Sequence, residues 1–205
     1  MIKAKFGNQI DTLIRRALPF LFRRPVNPNL LSIVGAVVSL AAAAAFPFGF
    51  FVLGGLLILA GGAFDLIDGI VARHHGISTR FGAFLDSTLD RVSDMALLLG
   101  IAMYYALTGE PGHVFLAGYT LAASALVSYA QAKAEQVVPG FRVGIFERGE
   151  RIVILALGAL TGFMVPVLWI LAVGSTVTVA QRFALAYREM AQIDAVESAG
   201  AGRQV

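Results

Sequence analysis

Residues 65–90 read Asp65-Leu-Ile-Asp68-Gly69-Ile-Val-Ala72-Arg73-His-His-Gly-Ile-Ser-Thr79-Arg80-Phe-Gly82-Ala-Phe-Leu-Asp86-Ser-Thr-Leu-Asp90. Apolar runs flank this stretch, over roughly 50–72 and 82–107, and His74–Ser78 breaks them apart. Asp65 and Asp68 are spaced i, i+3 near the end of the first run. Asp86, Asp90 and Asp94 follow at i, i+4, i+8 from the start of the second. At helical periodicity each set occupies one face. The short break then predicts a helical hairpin whose two acidic faces meet at one depth. Acids inside apolar spans are costly and mark function by default.

Composition carries the hairpin into a membrane. The chain has 205 residues, 58% of them hydrophobic and only 14% charged, against about a quarter charged in soluble domains. Cysteine is absent, which excludes a disulfide framework and any thiolate-bound metal. An all-α integral membrane protein follows, with room for about six or seven spans of roughly 20 residues. Apolar stretches place six, at 30–46, 50–72, 82–107, 114–136, 146–162 and 165–187. Pro47 and Gly49, the His74–Ser78 break, Gly109 to Gly112, Pro139 and Gly140, and Gly162 with Pro166 separate them. Small residues such as the alanine run 41–45 permit close helix packing.

Ile152–Val173 also reads as one uninterrupted span, which would leave five. Charge decides for six. With the N-terminus inside, all sixteen Lys and Arg fall on cytoplasmic segments or helix ends. Five spans would strand Arg182, Arg188 and Arg203 outside, against the positive-inside rule. Both termini, and any site built from these cations, are therefore expected to be cytoplasmic, in a multi-pass protein of the cell membrane. Residues 1–24 carry Lys3, Lys5, Arg15, Arg16, Arg23 and Arg24 beside Phe6, Ile10, Leu13, Ile14, Ala17, Leu18 and Leu21 at helical spacing. They predict an amphipathic helix on an anionic membrane surface rather than a signal peptide, a disordered basic tail being the alternative. Residues 25–189 form the expected membrane domain, and 190–205, polar and rich in Gly and Ala, a mobile C-terminal tail.

Converging carboxylates repel one another unless cations compensate. A divalent ion, or two, meets that need, and hard oxygen donors point to Mg²⁺ or Mn²⁺. Mg²⁺ in such sites bridges protein carboxylates to substrate phosphates. The competing reading pairs the aspartates with Arg73, Arg80 and Arg91 as buried ion pairs, and it applies most to Asp94. Non-catalytic bundles, channels and prenyltransferases remain as other classes; the last set their acidic motifs far apart and are usually longer. The basic residues rim one membrane side rather than striping a soluble face, so no nucleic-acid partner is expected.

The pattern Asp65-x2-Asp68-Gly69-x2-Ala72-Arg73-x8-Gly82-x3-Asp86-x3-Asp90 resembles the signature of the CDP-alcohol phosphotransferase family, without departure. The resemblance extends over nearly the whole chain. It implies a six-span enzyme in which Asp65, Asp68, Asp86 and Asp90 hold Mg²⁺ or Mn²⁺, and Asp90 acts also as general base. It further implies that Asn29, Ser32, Gly69, Arg73, Thr79 and Gly82 contact the CDP-lipid, although Asn29 and Ser32 also suit a helix cap. Glycines there let a nucleotide approach the backbone, and Arg73 suits the diphosphate. CDP-diacylglycerol drawn from the bilayer is the implied donor, and a homodimer the implied assembly.

Ser128-Tyr129-Ala-Gln131-Ala-Lys133-Ala-Glu135, Glu147-Arg148-Gly149-Glu150-Arg151, Gln181-Arg182 and Thr79 to Gly82 look like segments of the branch that makes phosphatidylinositol phosphate. That likeness implies an acceptor-phosphate site of Ser128, Arg151 and Arg182, to which Lys133 adds a nearby cation. Departures lie at Gly149, where the branch usually has proline, and at Gln131 and Lys133, where Lys and Arg are typical. Glycerol 3-phosphate, also anionic, is the alternative acceptor. The competing reading places Arg148 and Arg151 in a solvated cluster with Glu147 and Glu150, and Arg182 in a pair with Glu135.

Overall fold

The computed structural model describes residues 26–141 and 143–201, so the expected amphipathic segment 1–24 lies outside the described residues. Among them the chain forms six α-helices: α1 (Pro28–Ala45), α2 (Phe51–His75), α3 (Arg80–Leu107), α4 (Pro111–Glu135), α5 (Arg148–Thr161) and α6 (Met164–Ala201). A short 3₁₀ turn, Phe46–Phe48, follows α1. Local chemistry sets these bounds. Asn27 caps α1 by accepting from the Asn29 amide at 3.0 Å, and Pro28 occupies the first turn, where its missing N–H costs nothing. Gly76 and Gly162 end α2 and α5 in left-handed conformations (φ 65° and 77°) that favour glycine.

The helices close a ring in the order α1–α2–α5–α6–α4–α3, each packed on its two neighbours. Ser32 meets Asp68 across α1 and α2, and Arg148 meets Asp65 across α2 and α5, so those pairs run antiparallel. In contrast, α4 and α6 run parallel, joined by Thr120 to the Leu168 carbonyl and Ser124 to Ser175. The apolar core (Phe46, Ile58, Leu97, Ile101, Leu168) fills the half of the ring away from the acids. Glycines bring helices together there: Gly54 faces the Phe46 ring, Gly55 faces Ala156 and Ala159, and Gly100 lies directly on the Ala43 carbonyl. A methyl added at Gly100 would overlap that oxygen, and overpacking of this kind costs ~1–3 kcal/mol. Gly100→Ala should therefore lower the thermal midpoint in detergent, whereas Gly118→Ala, which meets open space, should not.

Four helical segments are long and apolar enough to cross a bilayer: Pro28–Phe48, Phe51–His75, Pro111–Glu135 and Met164–Ala195. The other two expected spans form as helices but miss that standard for separate reasons. Half of α3 is loaded with Arg80, Asp86, Asp90, Arg91 and Asp94. α5 has 14 residues, about 21 Å at 1.5 Å per residue, short of a hydrocarbon core of about 30 Å. Large apolar side chains such as Leu56, Leu99, Phe115, Trp169 and Phe183 are exposed, as expected of a surface facing lipid. The segment expected as a tail from residue 190 is helical as far as it is described: α6 continues unbroken to Ala201. Its sequence here, Arg188-Glu-Met-Ala-Gln-Ile-Asp-Ala-Val-Glu-Ser-Ala, is dominated by good helix formers, and that propensity outweighs its polarity.

Candidate functional site

The acids gather at the end of the ring where α2 finishes and α3 begins. One carboxylate oxygen from each of Asp65, Asp68 and Asp86 lies within 4.8 Å of the others. Opposite ligands of an octahedral Mg²⁺ stand about 4.2 Å apart, so this all-oxygen set fits a hard divalent ion with little movement. Asp68 is 5% exposed and accepts a 2.6 Å hydrogen bond from the Ser32 hydroxyl, short as charge-assisted bonds are. Ser32 therefore ties α1 to the cluster instead of capping its helix; Asn27 is the cap.

Beside the acids is a cavity of about 170 Å³ lined by α1, α2, α3 and the turn between the last two. Asn29, Ser32, Gly69, Arg73, Thr79 and Gly82 all line it, together with Asp68 and Asp86. Thr79 accepts from the Gly82 amide at 2.9 Å and so starts α3 at the cavity wall. A side chain on Gly82 would stand 2.9 Å from Asn29 Oδ1 and 3.0 Å from Thr79 Oγ1, so glycine keeps this corner open. The six residues tied by sequence to a nucleotide thus share one wall with two of the acids.

Asp90 lies outside that 4.8 Å group but shares a small cavity with Asp65, Asp86 and Arg148. Its Oδ1 lies 2.9 Å from Arg148 Nη1, and the same nitrogen is 3.0 Å from Asp65 Oδ2. Arg148 Nε reaches Asp94 Oδ1 at 3.3 Å, and Arg151 Nη2 reaches Asp94 Oδ2 at 3.2 Å. Asp94 is thus an ion-pair residue, but its partners come from α5 rather than from Arg73, Arg80 or Arg91. Arg148, absent from the sequence-derived site, enters the acid cluster itself. Two signals pointed to it: five span acids demanded counter-charge, and Arg148 and Arg151 share one helical face at i, i+3. For the same reason the solvated pairing with Glu147 and Glu150 fails to describe Arg151, which is buried.

The four residues assigned to an acceptor phosphate divide. Arg151 is bonded to Asp94, and Ser128 lines a small cavity with Asp94 and Arg91. Arg182 is buried; it donates to the Val143 carbonyl at 2.9 Å and to the Val127 carbonyl. Its hydrogen-bond partners are therefore backbone carbonyls rather than the expected Glu135. Lys133 stays on the exposed end of α4, with Nζ 5.9 Å from the centre of the Tyr129 ring. The loop before α5 is pinned to α6: Phe146 N donates to Thr178 Oγ1 at 3.2 Å, and Gly144, at φ 133°, packs on Thr178.

Residues 25–187 match the family model described as CDP-alcohol phosphatidyltransferase. A phosphatidylinositol phosphate synthase of Streptomyces avermitilis is 40% identical over 195 residues, covering 88% of this chain and 80% of the relative. The crystal structure of the Mycobacterium tuberculosis phosphatidylinositol phosphate synthase with CDP-DAG bound matches at a TM-score of 0.75 and 33% identity, over 87% of this chain and 94% of that one. The same protein's structure in complex with manganese and citrate also gives a TM-score of 0.75 at 33% identity, over 86% and 88% of the two chains.

Proposed function

This chain belongs to the CDP-alcohol phosphatidyltransferase family, and from that premise we propose that it transfers the phosphatidyl group of CDP-diacylglycerol to inositol phosphate and releases CMP. The observation that carries the reading is the cavity of α1–α3, where six nucleotide-contact candidates meet Asp68 and Asp86. Family membership removes the prenyltransferase and non-catalytic readings. The choice of inositol phosphate is supported by relatives named for that activity and by the arginines beside the acids.

Each part then has a task. Asn29, Thr79 and Gly82 shape the nucleotide pocket, and Arg73 meets the diphosphate through a guanidinium fork suited to phosphate oxygens. Asp65, Asp68 and Asp86 would hold Mg²⁺ or Mn²⁺. A bound ion there would neutralise the diphosphate and stabilise the departing CMP. Asp90 accepts the proton of the acceptor hydroxyl as that oxygen bonds to the lipid-linked phosphorus and the anhydride bond to CMP breaks. Ser128, Arg151 and Arg182 receive the acceptor's own phosphate, with Lys133 at the pocket's outer edge.

The membrane arrangement that goes with this chemistry has six spans, with α3 and α5 crossing as members of the ring beside apolar neighbours. All sixteen basic residues, and the acids, then lie on the cytoplasmic side of the cell membrane. The expected surface segment 1–24 lies outside the described residues; residues 25–189 form the transferase domain, and the enzyme acts as a homodimer.

A CMP-release assay on the purified protein tests the proposal. With CDP-diacylglycerol and Mg²⁺, inositol phosphate should give a kcat/KM at least about tenfold above glycerol 3-phosphate, the margin worth about 1.4 kcal/mol. The reverse order would overturn the acceptor and leave the transfer reaction standing. No CMP with either acceptor would overturn the transfer itself.

A further inference from the structure

We propose that Asp94, which lies outside the signature, is a positioning residue that couples the general base to the acceptor pocket. The inference rests on the transferase reading above. Asp86, Asp90 and Asp94 stand one helical turn apart on α3, a step of about 6 Å. The first belongs to the metal cluster and the second is the base. The third divides its carboxylate between two arginines: Oδ1 faces Arg148 Nε at 3.3 Å, and Oδ2 faces Arg151 Nη2 at 3.2 Å.

Both arginines have a second engagement. Arg148 Nη1 bridges Asp90 and Asp65 at 2.9 and 3.0 Å. Arg151 donates to the Phe146 carbonyl at 3.3 Å, where the chain enters α5. The pairing is well shielded, with the Asp94 and Arg151 side chains 14% and 6% exposed. Two cations one turn apart on α5 repel one another, and one carboxylate between them fixes both guanidinium planes. Asp94 also shares a small cavity with Ser128 and Arg91, bringing α4 into the same arrangement. One side chain thereby aligns the group that takes the acceptor's proton and the group that receives its phosphate. Alignment of this kind governs rate steeply, since misplacement by about 1 Å costs on the order of 10²-fold.

The test compares Asp94→Asn and Asp94→Glu with the parent enzyme, measuring kcat, the KM for each substrate, thermal midpoint, and binding of inositol phosphate by calorimetry without donor. In Asp94→Asn, kcat should fall about 10- to 100-fold and the inositol phosphate KM and dissociation constant should rise about tenfold, with the CDP-diacylglycerol KM within about twofold. Asp94→Glu keeps the charge but displaces it, so it should fold and show the same pattern more weakly. A parent-like kcat and acceptor KM in folded Asp94→Asn would overturn the proposal. Were that variant not to fold, parent-like values in Asp94→Glu would do so. Equal changes in the two substrates' KM values would also count against it, since a merely structural ion pair has no preference for the acceptor. A parent that releases no CMP would instead overturn the transferase reading on which the inference rests.

Discussion

Asp90→Asn will lower CMP release by about 10²–10⁴-fold, the usual contribution of a positioned general base, while leaving Mn²⁺ binding close to that of the parent. The separation of Asp90 from the metal-holding group produces this split. Asp65, Asp68 and Asp86 present oxygens within 4.8 Å of one another and Asp90 is not among them, although Arg148 Nη1 reaches both Asp90 and Asp65. Asparagine preserves the shape and can still accept from Arg148, but it cannot take the acceptor's proton. Mn²⁺ titration by electron paramagnetic resonance, run beside single-turnover CMP release, separates the two properties. Intact turnover would remove Asp90 as the base; loss of Mn²⁺ binding in step with activity would make it a metal ligand first.

Asp68→Asn should fail differently, losing metal and activity together. Asp68 is the most buried of the three clustered acids and the one tied to α1 through Ser32. Its replacement removes one negative charge next to a divalent cation. At an effective dielectric of about 20, one pair of unit charges 4 Å apart is worth ~4 kcal/mol. A loss of ~3–4 kcal/mol corresponds to roughly 10²–10³-fold weaker Mn²⁺ binding, with CMP release reduced to match. Raising Mg²⁺ should restore part of this activity and none of that lost in Asp90→Asn. An Asp68→Asn enzyme with parent-like Mn²⁺ affinity would dismiss the three-acid site.

Much of this molecule was legible before folding, for physical reasons that differ by region. The six helices were readable because Pro, Gly and polar breaks punctuate a composition too apolar for water, and the observed bounds differ little from those expected except at α6. There the polarity of residues 190–201 suggested a tail, but helix propensity prevailed. The convergence of the acids was readable because they are local: Asp65, Asp68 and Asp86 lie on one hairpin, whereas Asn29 and Ser32 reach the cavity from α1 and were named only from the family resemblance. The Asp94–Arg148 and Asp94–Arg151 contacts span 54 and 57 residues. No local pattern specifies such pairs; they arise from the ring, which sets the start of α5 against α2 and α3. Lys133 illustrates the same limit. Its place near the end of a span was readable, but its position on the exposed surface of α4 depends on how α4 meets its neighbours.

The pinning of the α5 entry loop by Thr178 and Arg182 has an evolutionary consequence. The proposed donor cavity is walled by the first three helices alone, while the proposed acceptor residues come from the last three, and of these Arg151 and Arg182 bond that loop directly. A lineage could change headgroup by altering the α5 entry and its α6 anchor, without disturbing the machinery that consumes the activated lipid. On the proposed reading the two substrates are thus served by different halves of a single bundle.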